Sequence, residues 1–115
     1  MQIEALNPAI GALVSGLKLR AELSDAERDG LLEALLRHQV LFFEGQDLSP
    51  AVQRDVAARF GALHIHPIYP HVPNVPQIIV LDTGNDNPPD NDNWHTDVTF
   101  LAEPAMGALL HAQLL

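Results

Sequence analysis

The chain has 115 residues, the size of one domain, and its 15 aspartates and glutamates outweigh 6 lysines and arginines to give a formal net charge of −9. A nucleic-acid-binding surface needs clustered basic residues to replace counterions, so this composition excludes that class and disfavours anionic membranes. Cysteine is absent, which excludes disulfides, thiolate metal sites and cysteine nucleophiles and leaves only histidines and carboxylates for a metal.

The first half of the chain predicts a strand followed by a helix. Residues 11–19, GALVSGLKL, are typical of a short strand broken by glycine. Ser24 and Glu27 have the spacing of a capping box, in which each side chain satisfies a backbone amide at the helix start, so we predict a helix over residues 25–38. Its buried face is predicted to carry four leucines: Leu31, Leu32, Leu35 and Leu36.

A second strand and helix follow. The apolar run from Val40 to Phe43 predicts a buried strand, because it is short and ends at the turn-like EGQD. Ser49 and Pro50 are a typical N-cap and first helical residue, and Gly61 is the predicted C-cap. The inner face of this helix is predicted to comprise Val52, Val56 and Phe60. Residues 78–81 predict another buried strand.

The last third of the chain starts with a long loop. Residues 82–93, DTGNDNPPDNDN, are too rich in proline, asparagine and aspartate for a core element. Loops of this length are uncommon in compact domains and are often functional. Residues 94–100 and 106–115 are predicted strands, and because the chain stops inside an apolar strand pattern we expect the sequence to be truncated.

The composition also bears on the compartment. Nearly half of the residues are hydrophobic, at 47%, and the mean hydropathy is +0.05, as in an ordinary globular protein. The N-terminal residues lack the features of a signal peptide, and no apolar run approaches the ~20 residues of a membrane-spanning helix. We therefore expect a soluble, cytoplasmic protein with no membrane partner.

His95 and Asp97 are metal-ligand types separated by one residue. In a strand over residues 94–100 both side chains would project from the same face, as the first pair of a two-histidine, one-carboxylate iron site requires. The pattern is weak by itself, because a chain with six histidines and nine aspartates carries a His-x-Asp by chance in roughly one case in two. A pair of solvated polar residues stays open as the alternative.

Residues 64–71, HIHPIYPH, form a second cluster of functional residue types. The two prolines disfavour regular structure, so we predict a shaped loop in which histidine and tyrosine hydrogen-bond a polar ligand. An ordinary surface loop is the alternative, and His64 with His66 could themselves bind a metal if the segment were extended. A calcium site at Asp86, Asp90 and Asp92 is disfavoured, because the EF-hand spacing is missing.

Four segments carry a family resemblance. Residues 36–43, 58–67, 64–71 and 78–100 are similar to the taurine dioxygenase family of Fe(II)- and 2-oxoglutarate-dependent enzymes, and the resemblance runs from about Ile3 to the end. It implies an α+β fold, the N-terminal part of a double-stranded β-helix, or jelly-roll, with flanking helices. Residues 1–115 would be the N-terminal portion of a single domain.

The resemblance also implies site residues and chemistry. His95 and Asp97 match two of the three iron ligands, and 2-oxoglutarate and O₂ would be co-substrates. Three side chains and one backbone amide match positions that contact a sulfonate substrate such as taurine: His66, Tyr69, Asn91 and Val98. Oxygenation of the carbon that bears the sulfonate would release sulfite and aminoacetaldehyde.

The chain departs from the family pattern in one respect. The third ligand, a distal histidine, and the arginines that bind 2-oxoglutarate and the sulfonate cannot be assigned in this sequence, and His111 matches a position that is not a ligand. We therefore expect the chain alone to be inactive. Two alternatives stay open: a non-catalytic relative that forms a homo-oligomer through its open strand edges, and a small module that binds an anion or metal.

Overall fold

The computed structural model describes residues 1–89 and 93–113. It divides into two compact units: the N-terminal unit, Met1–Ala62, and the C-terminal unit, Leu63–Leu115. The described part is a mixed arrangement of helices and short strands. None of its helices has the length and apolar character needed to cross a membrane. The predicted single domain over residues 1–115 stays a prediction.

The N-terminal unit contains a three-stranded sheet. Its strands are β1 (Gln2–Ala5), β2 (Ala12–Ser15) and β3 (Leu41–Phe43), in the order β1-β2-β3. β1 and β2 pair antiparallel, whereas β2 and β3 pair parallel. A parallel pair requires a long crossover connection, which here is the helical segment between β2 and β3.

The crossover helix α1 (Asp25–His38) has the predicted bounds and the predicted capping box. The Ser24 hydroxyl accepts from the Glu27 N–H at 3.2 Å, and the Glu27 carboxylate accepts from the Ser24 N–H at 2.8 Å. Arg20 donates to the same carboxylate at 2.8 Å. The helix ends at Gln39, whose φ of 67° is left-handed and turns the chain towards β3.

The buried face of α1 differs from the prediction. Leu31 and Ala34 are buried, but Leu36 is 73% exposed, so the predicted four-leucine face is wrong at that residue. Leu36 lies five positions after Leu31, about 140° around a helix of 3.6 residues per turn. A stripe centred between residues 31 and 34 therefore leaves Leu36 towards solvent.

Apolar residues from several segments form the core of the N-terminal unit. Gln46 connects them by accepting from the Leu19 N–H at 2.9 Å and donating to the Leu17 carbonyl at 3.2 Å. β3 is present as predicted, but as an edge strand it leaves Phe42 51% exposed, so the prediction of full burial is wrong. The buried apolar residues of this unit are Ala12, Val14, Leu17, Leu19, Leu23, Leu31, Ala34, Leu48 and Val56.

Helix α2 (Pro50–Ala58) begins as the sequence predicts. Ser49 is its N-cap and accepts from the Val52 N–H at 3.3 Å. The predicted C-cap at Gly61 is wrong, because the helix ends at Arg59, which keeps a right-handed conformation. Arg59 and Phe60 donate to the carbonyls three residues before them, so the last turn tightens before the glycine is reached.

The C-terminal unit contains one short hairpin. Its strands are β4 (His71–Val72) and β5 (Val75–Ile79), paired antiparallel. The strand predicted over residues 78–81 thus begins and ends earlier than expected. In the following loop, Gly84 and Asn87 exchange backbone hydrogen bonds of 2.9 and 3.1 Å, and the Asn87 amide donates to the Asp82 carbonyl.

The two strands predicted nearest the C-terminus are not formed in the described residues. Residues 97–100 make a turn in which the Leu101 N–H donates to the Val98 carbonyl at 3.1 Å, and residues 106–113 have no regular structure. A strand needs a neighbour for its backbone groups, and neither described sheet extends to these segments. The mixed α and β content is confirmed, whereas the jelly-roll stays a prediction.

Candidate metal centre and anion-binding loop

His95 and Asp97 lie together at the start of the turn formed by residues 97–100. The His95 Nε2 atom is 3.2 Å from the Asp97 Oδ1 atom, and both side chains are accessible. The predicted proximity therefore occurs, although residues 94–96 have no regular structure and strand alternation does not produce it. Two electron-rich atoms at this distance require a proton or a cation between them.

The carbonyl of Asn93 orients the His95 ring. The His95 Nδ1 atom lies 2.6 Å from that oxygen, so Nδ1–H is the donor and Nε2 faces the Asp97 carboxylate. The hydrogen bond to Asn93 is the main cause that raises the pKa of His95 above its ordinary value, and the Asp97 charge acts in the same direction. Metal-bound histidines are usually held by such a carbonyl.

The pair has the geometry of two adjacent ligands of an octahedral cation. With metal–ligand bonds of about 2.1 Å at right angles, two donor atoms lie about 3.0 Å apart. The observed 3.2 Å is close to this value, and one imidazole with one carboxylate suits Fe(II). These residues fit an iron ion, but their ligation stays a prediction. No group of three metal-ligand side chains occurs among residues 1–89 and 93–113.

Residues 64–70 of the segment HIHPIYPH form a shaped loop, as predicted, and its last residue, His71, begins β4. The His66 Nδ1 atom accepts from the Ile68 N–H at 3.2 Å and from the Tyr69 N–H at 3.3 Å. The ring proton therefore lies on Nε2, where it is available to an anion. The His66 ring also packs against Tyr69, with a centroid distance of 4.7 Å.

Phe100 connects this loop with the metal pair. Its ring is edge-on to His66, at a centroid distance of 6.0 Å and an interplanar angle of 89°. Phe100 ends the turn that starts at Asp97, so His66 and the two predicted ligands belong to neighbouring segments of the C-terminal unit. His66 also contacts Tyr69, so these two predicted substrate residues lie side by side.

Val98 has an unusual backbone. Its φ of 49° is left-handed, a conformation that β-branched residues seldom adopt. Its carbonyl accepts from Leu101, whereas its N–H has no acceptor within the described residues and remains available to an anion. The remaining predicted substrate residue, Asn91, lies outside the described residues.

A small cavity adjoins Asp97. Its volume is about 210 Å³, below the 300–1,000 Å³ typical of small-molecule pockets, so it has room for a compact ligand. Sequence reasoning missed this cavity and also the carbonyl of Asn93, because neither a backbone oxygen nor a cavity has a residue-type signature. The cavity is lined by Thr96, Asp97, Ala105, Met106, Gly107 and Ala108.

The names of curated proteins with similar sequences include an alkylsulfatase, dioxygenases of sulfate esters and sulfonates, and a phenoxypropionate dioxygenase. The chain is 37% identical to an alkylsulfatase of Acinetobacter baylyi over 88% of the chain and 32% of that protein. It is 34% identical to an alpha-ketoglutarate-dependent sulfate ester dioxygenase of Pseudomonas putida over 90% of the chain and 34% of that protein. The chain thus spans about a third of the length of these relatives.

Structural and family comparisons agree with this result. A crystal structure of a taurine dioxygenase from Burkholderia xenovorans matches with a TM-score of 0.61 and 34% identity, over 65% of this chain and 27% of the other. The model of the taurine catabolism dioxygenase TauD, TfdA family matches residues 2–114. Since the match covers almost every residue, the chain belongs to this family of Fe(II)- and 2-oxoglutarate-dependent dioxygenases.

Proposed function

We propose that the chain, as part of a complete enzyme, takes part in the oxygenation of a small organosulfur acid, taurine or a related sulfonate, in a reaction that depends on Fe(II) and 2-oxoglutarate. The observation that carries the proposal is the His95–Asp97 pair, with its donor atoms 3.2 Å apart and the His95 ring oriented by the Asn93 carbonyl. Membership of the dioxygenase family supports the same chemistry.

His95 and Asp97 would hold the iron ion through Nε2 and Oδ1. Bound iron with 2-oxoglutarate supplies the activation of O₂ that such an oxygenation needs. Asn93 keeps the proton of His95 on Nδ1, so that Nε2 remains a ligand atom. The Asp97 carboxylate contributes the negative charge that favours a divalent cation over a proton on His95.

Three neutral donors would bind the substrate anion. They are the His66 Nε2–H, the Val98 backbone N–H and the amide of Asn91, with Tyr69 packed against His66. Sulfonate oxygens accept such hydrogen bonds, so the donors orient the anion without needing a full positive charge. They would place the carbon next to sulfur towards the iron ligands.

A second substrate class, alkyl sulfate esters, is favoured by the comparisons. The relatives named alkylsulfatase and sulfate ester dioxygenase are 37% and 34% identical to this chain, whereas the sulfonate dioxygenase of Saccharomyces cerevisiae is 28% identical. The two classes differ in their product. Hydroxylation next to a sulfonate releases sulfite and an aldehyde, and hydroxylation next to a sulfate ester oxygen releases inorganic sulfate and an aldehyde.

The first experiment is an anaerobic titration of the complete enzyme with Fe(II) and 2-oxoglutarate, followed by O₂ with taurine or a short alkyl sulfate. We expect a visible charge-transfer band from the chelated co-substrate, and then release of sulfite from taurine. The chain alone should give neither the band nor the product. Release of sulfate only would establish the second substrate class. A saturable band that is equally strong in His95→Ala and Asp97→Ala variants would contradict the proposed iron site.

A further inference from the structure

His64 has no role in the proposed function, yet its environment is unusual. The Nε2 atom of His64 is shielded from solvent and has no hydrogen-bond partner in the described structure. A buried polar atom without a partner is destabilising, and an apolar side chain of similar size would avoid this cost. An imidazole at this position therefore calls for a functional explanation.

The ring of His64 contacts the ring of His66. The two centroids are 6.1 Å apart and the planes meet at 85°, which is an edge-to-face arrangement. Because its Nε2 is shielded, His64 does not present this atom to a ligand. The ring contact with His66 is therefore the route by which His64 can influence a ligand of that residue.

The hydrogen bonds of His66 do not hold its ring firmly by themselves. The two N–H groups that donate to Nδ1 lie at 3.2 and 3.3 Å, at or beyond the long end of the ordinary range. Ring packing must then limit rotation of the imidazole. His64 supplies one edge-to-face contact and Phe100 another, at 6.1 and 6.0 Å, while the Tyr69 ring packs at 4.7 Å with its plane tilted by 46°.

We infer that His64 is a positioning residue, which holds the His66 imidazole with its Nε2–H directed at the substrate anion. The inference rests on the proposed function for the identity of that anion. Loss of the His64 ring frees His66 to rotate about its Cβ–Cγ bond, which takes Nδ1 away from the Ile68 and Tyr69 N–H groups and turns Nε2–H away from the anion. The site then loses its fixed donor and binds the sulfonate or sulfate more weakly, while the iron ligands stay in place.

The kinetic test compares three variants of the complete enzyme. His64→Leu removes the ring, His64→Phe keeps a ring of similar shape, and His71→Leu makes the same chemical change at an exposed histidine in the adjoining strand β4. We expect His64→Leu to raise KM for the organosulfur substrate about tenfold. The values of kcat and of KM for 2-oxoglutarate should stay within about twofold, as for a loss of uniform binding. The phenylalanine variant should recover most of the loss.

A double-mutant cycle separates positioning from a general structural role. If His64 acts through His66, adding His64→Leu to His66→Ala should cause no further rise in KM. Additive effects of the two substitutions would overturn the inference. So would an equal rise in KM for the organosulfur substrate and for 2-oxoglutarate, since this would indicate a site disturbed as a whole.

A measurement without turnover tests the same inference. Long-range ¹⁵N–¹H spectra of the imidazoles should show one tautomer for His66, protonated at Nε2, in the parent and in His71→Leu, and a mixture in His64→Leu. An unchanged His66 pattern in His64→Leu would refute the positioning role. If the parent turns over neither taurine nor an alkyl sulfate, the proposed substrate is wrong, but these spectra still decide the role of His64.

Discussion

The two predicted iron ligands would make different contributions to metal binding. His95 is oriented by a hydrogen bond to a carbonyl, whereas Asp97 is exposed and contributes mainly its charge and one oxygen atom. A divalent cation would need that charge, because it would compete with a proton for the His95 Nε2 atom. We therefore expect removal of the Asp97 carboxylate to affect metal binding more selectively than removal of the His95 ring.

Asp97→Asn keeps the shape of the side chain and removes its charge. We expect Fe(II) affinity to fall by at least about tenfold, the lower end of what even the loss of an indirect partner causes at metal sites. Equilibrium titration under argon measures this change. The matched control is Asp86→Asn, which removes the same charge from an exposed loop aspartate and should leave affinity unchanged. Equal losses of Fe(II) affinity in both variants would mean that the affinity depends only on the net charge of the protein.

At the scale of single elements, the local signals of the sequence were the most reliable. The bounds and capping box of α1 depend on residues within one turn, and both are confirmed. The strands predicted over residues 94–100 and 106–115 depend on a partner strand, and the described residues do not form them. His95 and Asp97 still meet without a strand, because irregular backbone can also bring the side chains of residues i and i+2 together.

Gly30 lies in the middle of α1 and is a candidate for stabilisation. Alanine loses less backbone entropy than glycine in a helix, so Gly30→Ala should raise the free energy of unfolding by about 0.5–1 kcal/mol. The added methyl would meet the Met1 side-chain tip at 2.9 Å, but this flexible group can move. Chemical denaturation measures the change.

The control for this prediction is Gly45→Ala. No atom lies within 4 Å of the added methyl there, but φ is +61°, so the left-handed conformation should cost about 1–2 kcal/mol. Stabilisation in both variants, or in neither, would show that backbone conformation does not determine how alanine changes the free energy of unfolding at these positions.

Glu27 should make the stability of α1 dependent on pH. Hydrogen bonds to the Ser24 N–H and to Arg20 lower the pKa of Glu27 from 4.5 to about 2. A carboxylate whose pKa is depressed in the folded state stabilises the fold at pH values above its pKa in the unfolded chain. This contribution is lost as the pH falls from about 4.5 towards 2. Circular dichroism over this range should show weaker pH dependence in Glu27→Gln than in the parent. The same pH dependence of the circular dichroism signal in both proteins would contradict the assignment of this effect to Glu27.

At the scale of the whole molecule, the two units differ in how much apolar surface they bury. The core described above lies almost entirely in the N-terminal unit, whereas in the C-terminal unit Val75 alone among the described residues is a buried apolar side chain. Large apolar side chains are exposed in the C-terminal unit, with Ile68 at 83% and Leu110 at 77%. The expected homo-oligomer stays a prediction.

This difference predicts unequal hydrogen exchange. Amides of β2 and α1 should exchange at least about tenfold more slowly than those of β4 and β5, because local opening costs least where few apolar contacts must be broken. Exchange followed by mass spectrometry of peptides from each unit measures this. Saturating Fe(II) should slow exchange in residues 93–101 only. Equal protection of all four elements would contradict the uneven burial.

The orientation of His95 depends on a main-chain oxygen atom and not on the side chain of any particular residue type. Because the Asn93 carbonyl belongs to the main chain, every residue type at position 93 carries the same acceptor. The tautomer of the His95 imidazole thus depends on the backbone conformation of the preceding loop and not on the side chain at position 93. Transplanting the His-x-Asp pair into another scaffold would therefore fail unless the preceding loop geometry were transplanted with it.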